Sequence, residues 1–329
     1  MISKLIHTVF FVLAFCSPSI IIAQGCCSGG APISGNLDLG QSSPHQLSVR
    51  LTYDYNRLGD VIFKSKIVND DTRARITNTG ILRLTYALNQ RIAFGGLFSY
   101  VEQVEKVNSI TSSRTSGKGL GDLTFFAQYS FLKKKRYSMD YALGIKTPTG
   151  ATDRKNEDSQ LNLNPDLQPG TGAWDWFNII QFGYRDLFRS KINLSARSSY
   201  RFNGKSTRFN NQQYRFGNEL QLFLGLSRDF FLKTFMISPQ LIGNYRNTDP
   251  DEINDFETPN TGGHWIYFIP GLKILPKPNW SIGLFAELPV YRNLSGIQLT
   301  TSYKLSVNLS HSFSLKKNKA PAPFKLKKL

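Results

Sequence analysis

Residues 297–315 read IQLTTSYKLSVNLSHSFSL, and this stretch decides the fold. Its odd positions are Ile297, Leu299, Thr301, Tyr303, Leu305, Val307, Leu309, His311, Phe313 and Leu315. Between them stand Gln298, Thr300, Ser302, Lys304, Ser306, Asn308, Ser310, Ser312 and Ser314. Such alternation is the period-two signature of a β-strand with one apolar and one polar face. It also runs far longer than a strand of a soluble protein usually does.

Working outward, the same pattern recurs. Leu47, Val49, Leu51, Tyr53 and Tyr55 alternate with Ser48, Arg50, Thr52, Asp54 and Asn56. Tyr137, Met139, Tyr141, Leu143 and Ile145 alternate with Ser138, Asp140, Ala142, Gly144 and Lys146. Similar runs surround 192–202 and 215–226. A sandwich would alternate too, but its apolar face would point into a core. Here the polar face is rich in Gly, Ser, Asn and charge, as a wet lumen requires, and the apolar face carries Tyr, Trp and Phe near strand ends. Trp174, Trp176, Trp265 and Trp280 fall at strand starts, which suits an aromatic belt over simple core packing.

Twelve strands are predicted, near 46–56, 78–89, 91–102, 119–132, 136–147, 174–186, 190–203, 212–228, 233–247, 263–275, 279–291 and 296–315. Pro239, Pro270 and Pro289 fall within them, and each predicts a bulge or an end. The connections alternate long and short. Long polar loops fall near 57–77, 103–118, 148–173, 204–211 and 248–262, and short turns near 89–90, 133–135, 187–189, 229–232 and 276–278. The expected fold is therefore all-β: a closed antiparallel transmembrane β-barrel of about 12 strands. Closure follows because lipid leaves no backbone amide or carbonyl a partner outside the sheet.

Composition agrees. Of 329 residues, 40% are hydrophobic and 13% aromatic, too apolar for a disordered chain. The 40 Lys+Arg against 23 Asp+Glu leave +17, a balance that ordinarily suggests nucleic acid. The N-terminus argues against that partner. Lys4, the apolar run Val9–Phe15, the breaker Ser17-Pro18-Ser19 and the small residue Ala23 read as a signal peptide over 1–23. The expected organisation is then a periplasmic segment over 24–45, the barrel over 46–315 and a basic tail over 316–329. Cys26 and Cys27 leave three readings open: lipidation at Cys26, a disulfide or free thiols, or a weak two-thiolate metal site. No cofactor is expected. The Lys-rich tail either meets anionic headgroups or is simply solvated.

Enzyme motifs are missing from the sequence. The four histidines are scattered, and no HExxH, GxSxG or CxxC pattern occurs. Asp70-Asp71 and Asp249-Pro250-Asp251-Glu252 are acidic loop clusters, either weak calcium ligands or solvated loop tips. The chemistry lies on the inward face. Alternation aims Arg50, Arg83, Asp140, Arg185, Arg197, Arg201, Arg215, Glu219, Arg246, Glu287 and Lys304 into the lumen. Arginine excess favours anions in an open pore, while opposed charges in a narrow bore could equally plug it. Asp122 and Lys146 face the same side of neighbouring strands and form either a wall brace or a substrate site. The expected solute path comprises Asp122, Lys146, Arg197, Arg201, Arg215, Glu219, Glu287 and Gln298.

Two motifs lie one hairpin apart: Gly119-Leu120-Gly121-Asp122-Leu123 and Gly144-Ile145-Lys146-Thr147-Pro148-Thr149-Gly150. Together they resemble the outer-membrane barrel family labelled as phenol meta-degradation-pathway proteins. Leu288-Pro289-Val290-Tyr291 followed by Gly296-Ile297-Gln298-Leu299 is similar to that family's C-terminal end. The resemblance spans roughly residues 40–315, and the family looks related to hydrophobic-compound channels. It implies an outer-membrane transporter for small, often aromatic molecules, with a small-molecule solute, outer-membrane lipid and the barrel-assembly machinery as partners. The alternative is a structural or adhesive barrel that binds an external partner through its long loops. Two departures stand out: the Cys26-Cys27-Ser28-Gly29-Gly30 start is not part of the shared motifs, and the chain runs on past Phe313.

Overall fold

The computed structural model describes residues 24–25, 39, 43–108, 112–157, 159–187, 190–209 and 212–315. The expected signal peptide, Cys26 and Cys27, and the basic tail lie outside the described residues. Eleven strand elements close into one antiparallel barrel. They are β1 Gln46–Lys64, β2 Arg73–Ala87, β3 Ile92–Asn108, β4 Thr124–Lys133, β5 Tyr137–Lys146 and β6 Asp175–Leu187. The circuit continues through β7 Ile192–Phe202, β8 Glu219–Arg228, β9 Met236–Thr248, β10 Gly263–Lys277 and β11 Trp280–Ser314. Each pairs with its sequence neighbour, and β11 returns to β1 with Phe313 opposite Leu47 and Ile297 opposite Phe63.

The 35-residue β11 is a hairpin rather than one straight strand. Its first limb pairs with β10 and its second with β1. The limbs also meet each other: Lys304 pairs with Glu287 at 2.9 Å, and Ser312 N donates to the O of Asn279, the residue just before the first limb, at 3.0 Å. The fold-back is at Gly296, whose φ of 82° is the left-handed region that glycine enters without strain. Asn260 Oδ1 accepts the next amide, Ile297 N, at 2.9 Å, and Gln298 Nε2 donates to Gly262 O and Ser295 O at 2.8 and 2.9 Å. Counting both limbs, twelve staves surround the lumen, the number that alternation predicts.

The faces are reversed relative to a soluble protein. Outward Leu51, Tyr53 and Leu224 are 55%, 50% and 60% exposed, while inward Thr52 and Asp54 are 3% and 2% exposed. The hydrophobic driving force must therefore come from burying the outer band in an apolar medium. Trp174, Trp176 and Trp280 stand on that outer surface, as the belt reading requires. Trp265 does not: it is buried, and its Nε1 donates to Thr300 Oγ1 at 3.1 Å. On β10 the inward positions run Gly263, Trp265, Tyr267 and Ile269, so the phase of that strand sets the indole inside. His311 keeps its expected outward register, between the rings of Trp280 and Phe313.

The three prolines coincide with interruptions of pairing. Pro239 falls just beyond the last β8–β9 pair, Ser227 with Gln240. Pro270 lies between the β10–β11 pairs Phe268–Leu288 and Gly271–Phe285, and Pro289 adjoins the register shift at Ile266/Tyr267. Lacking an N–H, each sits where the ladder demands none.

Inside, glycines make room for rings. Gly95 faces Phe126, Gly144 faces Phe177 and Gly271 faces Phe285 across adjacent strands. A Cβ at any of these glycines would overlap the opposing ring. Each phenyl group thus lies against the wall instead of standing across the bore.

Candidate functional site in the lumen

Within the barrel lies a cavity of about 210 Å³. Four consecutive strands give it an apolar stripe: Phe223 on β8, Ile242 on β9, Ile269 on β10 and Phe285 on β11. Ile242 and Ile269 are direct cross-strand partners, which makes the stripe continuous. The rest of the lining is polar. Arg197, opposite Phe223, stacks its guanidinium 3.9 Å from the ring centroid. Such a cation–π contact contributes roughly 0.5–2 kcal/mol and fixes the charge at the edge of the stripe. Arg50 Nε donates to Ser310 Oγ at 3.0 Å. Glu287 and Lys304 form the ion pair between the β11 limbs. Asp54 and Lys273 complete the charged lining.

One residue of the stretch expected to precede the barrel, Leu39, reaches into it. Leu39 is buried among Ile81, Leu97, Phe126, Ala142, Phe177 and Ile179, on the wall formed by β2 to β6. Its backbone is clamped by one side chain: Leu39 N donates to Gln181 Oε1 at 3.0 Å, and Gln181 Nε2 donates to Leu39 O at 2.9 Å. Gln181 also lines the cavity, so the clamp adjoins it. Earlier in the chain, Gln24 and Gly25 pair in parallel with Gln298 and Leu299 near the fold-back of β11.

At the long-loop end, Asp122 and Lys146 meet at 3.2 Å. Lys146 also reaches Asp175 at 2.5 Å and donates to Thr171 Oγ1 at 2.7 Å. Asp122 Oδ1 accepts Gly150 N, and its Oδ2 accepts Thr171 N and Oγ1, all within 2.9 Å. The two family-like motifs thus tie the 147–174 loop down over the mouth. Every one of these contacts joins groups of this chain, and all of them are buried. Arg75, beside it, pairs with Asp166 at 2.9 Å and Glu105 at 3.4 Å.

Glu219 lies between Arg201 at 3.7 Å and Arg246 at 2.8 Å, a buried network below the mouth. Arg215 is not in the lumen. It belongs to Gln212–Arg215, part of a separate four-stranded sheet with Lys205–Phe209, Glu252–Ile253 and Phe256–Glu257, and it pairs with Glu252. Phe216, Gly217 and Asn218 break the strand, and Gly217 packs so closely on Asp249 that no side chain fits. That break ends the alternation from which an inward Arg215 follows. Gln298 is fully buried and holds the β11 turn. Of the expected path residues, Arg197 and Glu287 line the cavity.

The four-stranded sheet caps the mouth. Phe209, Tyr214 and Phe216 pack edge to face, and with Leu163, Ile253 and Asp166 the first two of them line a second cavity of about 170 Å³. Asp251 accepts hydrogen bonds from Gly217 N at 2.8 Å and from the Tyr214 hydroxyl at 2.5 Å. Burial outweighs these bonds and pushes the Asp251 carboxyl up to about 6. Burial, with Asp251 beside it, also raises the Tyr214 phenol. Among the described residues, no group of three metal-ligating side chains gathers, and the acidic loop clusters form no such site.

Sequence reasoning did not single out Leu39, Gln181 or the apolar stripe. A signal for the stripe was present: Phe223, between Gln221 and Gly225, and Phe285, between Gly283 and Glu287, are apolar residues in the polar phase of their strands.

The fold resembles that of an outer membrane channel from Pseudomonas putida F1, with 15% identity, a TM-score of 0.61, and coverage of 86% of this chain and 100% of that one. The beta domain of the Bordetella autotransporter BrkA aligns at a TM-score of 0.50 with 11% identity, over 82% of this chain and 100% of that domain. No curated protein matches the sequence. A family profile matches residues 75–309, which hold both mouth-bracing motifs and ten of the eleven barrel strands in whole or nearly so. The chain belongs to the family described as "Putative MetA-pathway of phenol degradation".

Proposed function

We propose that this barrel is an outer-membrane channel for small hydrophobic or aromatic molecules. The observation that carries the reading is the amphipathic cavity enclosed by a barrel whose outer band is apolar. A plain aqueous pore has no use for a four-strand apolar stripe in its lumen. A purely structural barrel has no use for a cavity there. The family's description points to aromatic metabolism, and the fold relative from Pseudomonas putida is itself a channel.

In this reading the signal peptide exports the chain and the barrel-assembly machinery inserts it. Lipid then covers the outer band, the long loops face outward and the short turns face the periplasm. Arg197 and Glu287 lie along the path, Arg201 and Glu219 shape the lumen above it, and Asp122 with Lys146 keeps the mouth loop in place. No catalytic role is assigned. Leu39, docked on the lumen wall through Gln181 beside the cavity, holds the path shut until it undocks.

The test is uptake of a radiolabelled single-ring aromatic into vesicles with a lipopolysaccharide outer leaflet, with and without the protein. Faster, saturable uptake with the protein is expected. A folded, heat-modifiable barrel that leaves uptake unchanged, and whose loops bind an external partner, would overturn the channel reading.

A further inference from the structure

The lining of the lumen cavity carries four cationic groups, Arg50, Arg197, Lys273 and Lys304, against two carboxylates, Asp54 and Glu287. The balance is 4 − 2 = +2 beside an apolar stripe. Lys304 and Glu287 neutralise each other, but Lys273 has no ion-pair or hydrogen-bond partner among the described residues. Arg197 is held against Phe223, its charge at the border between ring and water. Phe285, fitted against Gly271, offers a second ring to the same space.

We propose that this cavity binds a single-ring aromatic carboxylate. The inference rests on the channel reading above and narrows its substrate class from neutral hydrocarbon to amphipathic anion. Size fits, since a cavity of about 150 Å³ is enough for benzene and this one measures about 210 Å³. Chemistry fits as well. The ring of such a solute packs on Phe223, Ile242, Ile269 and Phe285, while its carboxylate meets the Lys273 ammonium and the cationic edge. A neutral ring would gain the apolar contact but offer the Lys273 ammonium no counter-charge. A cation would be repelled by it. A small aliphatic anion would gain the charge and forfeit the stripe. The site favours solutes that satisfy both halves.

The experiment is equilibrium dialysis of labelled benzoate, benzyl alcohol and acetate against the purified barrel in lipid nanodiscs. It is run on the wild type, on Lys273→Gln, and on both in a Leu39→Ala background so that the docked leucine does not limit access. Heat-modifiable migration checks that each variant is folded. Benzoate is expected to saturate one site per chain and to bind at least tenfold tighter than benzyl alcohol or acetate. Lys273→Gln should weaken benzoate about tenfold, the scale of one charge-assisted hydrogen bond, and shift benzyl alcohol less than twofold. Equal affinity for benzoate and benzyl alcohol, or equal losses for both in Lys273→Gln, overturns the anion assignment and leaves the channel reading standing. Acetate binding as tightly as benzoate overturns the aromatic half. Binding of neither ring in any background, together with unchanged vesicle uptake, removes the channel reading itself.

Discussion

Shortening one buried side chain, Leu39→Ala, should release that residue from the lumen wall. Leu39 is 1% exposed within an apolar cluster of the lumen wall, and its two backbone groups are held by Gln181 at 3.0 and 2.9 Å. Burying one leucine contributes roughly 1.5–3 kcal/mol, and each amide pair adds about 1 kcal/mol. Ordering the backbone there costs about 1–2 kcal/mol. The net is about 2–3 kcal/mol, which keeps this latch docked roughly 100 times more often than not. Removing three side-chain carbons from the pocket deletes about 2 kcal/mol. The undocked fraction then rises from about one per cent to roughly a fifth. Gln181→Ala should do the same by a different route, through the loss of both hydrogen bonds. Single-channel recording in planar bilayers reads the change as more frequent or longer open events. If both variants migrate as folded barrels and record wild-type traces, the latch does not control the path, and Leu39 is only wall packing.

Three other outcomes follow from the geometry. Lys146→Met strands the Asp122 and Asp175 carboxylates in a buried site and should cost about 3–5 kcal/mol, read as new protease cuts in the 147–174 loop; an unchanged digest would mean that the ion set does not brace the mouth. Gly144→Ala drives a Cβ into the Phe177 ring and should lower barrel stability by roughly 1–3 kcal/mol, with Phe177→Ala restoring part of the loss in the double variant; a neutral Gly144→Ala refutes the ring-on-glycine account. Asp251, at about 6 when folded against an ordinary 3.8, keeps its proton between those values where the unfolded chain has released it. The capping sheet should therefore lose up to roughly 3 kcal/mol as pH rises from about 4 to 6 and level off above that. Hydrogen exchange of the cap amides, corrected for intrinsic rates, checks it, and Asp251→Asn should flatten the profile.

Most of the fold was legible because a membrane barrel repeats one local rule. Alternation alone places each side chain in or out, and loop lengths give the parity of the turns. So the stretch from Tyr303 to Leu315 announced its own structure, while register shifts at Thr300–Tyr303 broke the phase before it and left Leu299 buried; the stave count and the outward belt of Trp174, Trp176 and Trp280 followed from the same period. The rule failed wherever phase is lost. Gly217 ends a strand and carries Arg215 out of the lumen, and the phase of β10 turns Trp265 inward. Asp122 and Lys146 could be paired from sequence, but not their bonds to Gly150, Thr171 and Asp175, which come from a loop whose path no periodicity encodes.

The sequence by itself determined the barrel, because strand phase and the demand that every backbone group be paired in lipid are local constraints. Only the tertiary structure decided the lumen. Phe223, Ile242, Ile269 and Phe285 are far apart in the chain and form one stripe only because β8 to β11 lie side by side in register. Leu39 finds its pocket and Gln181 its partner across 142 residues. Such contacts depend on closure of the whole ring, and closure is a property of all the strands together rather than of any one of them.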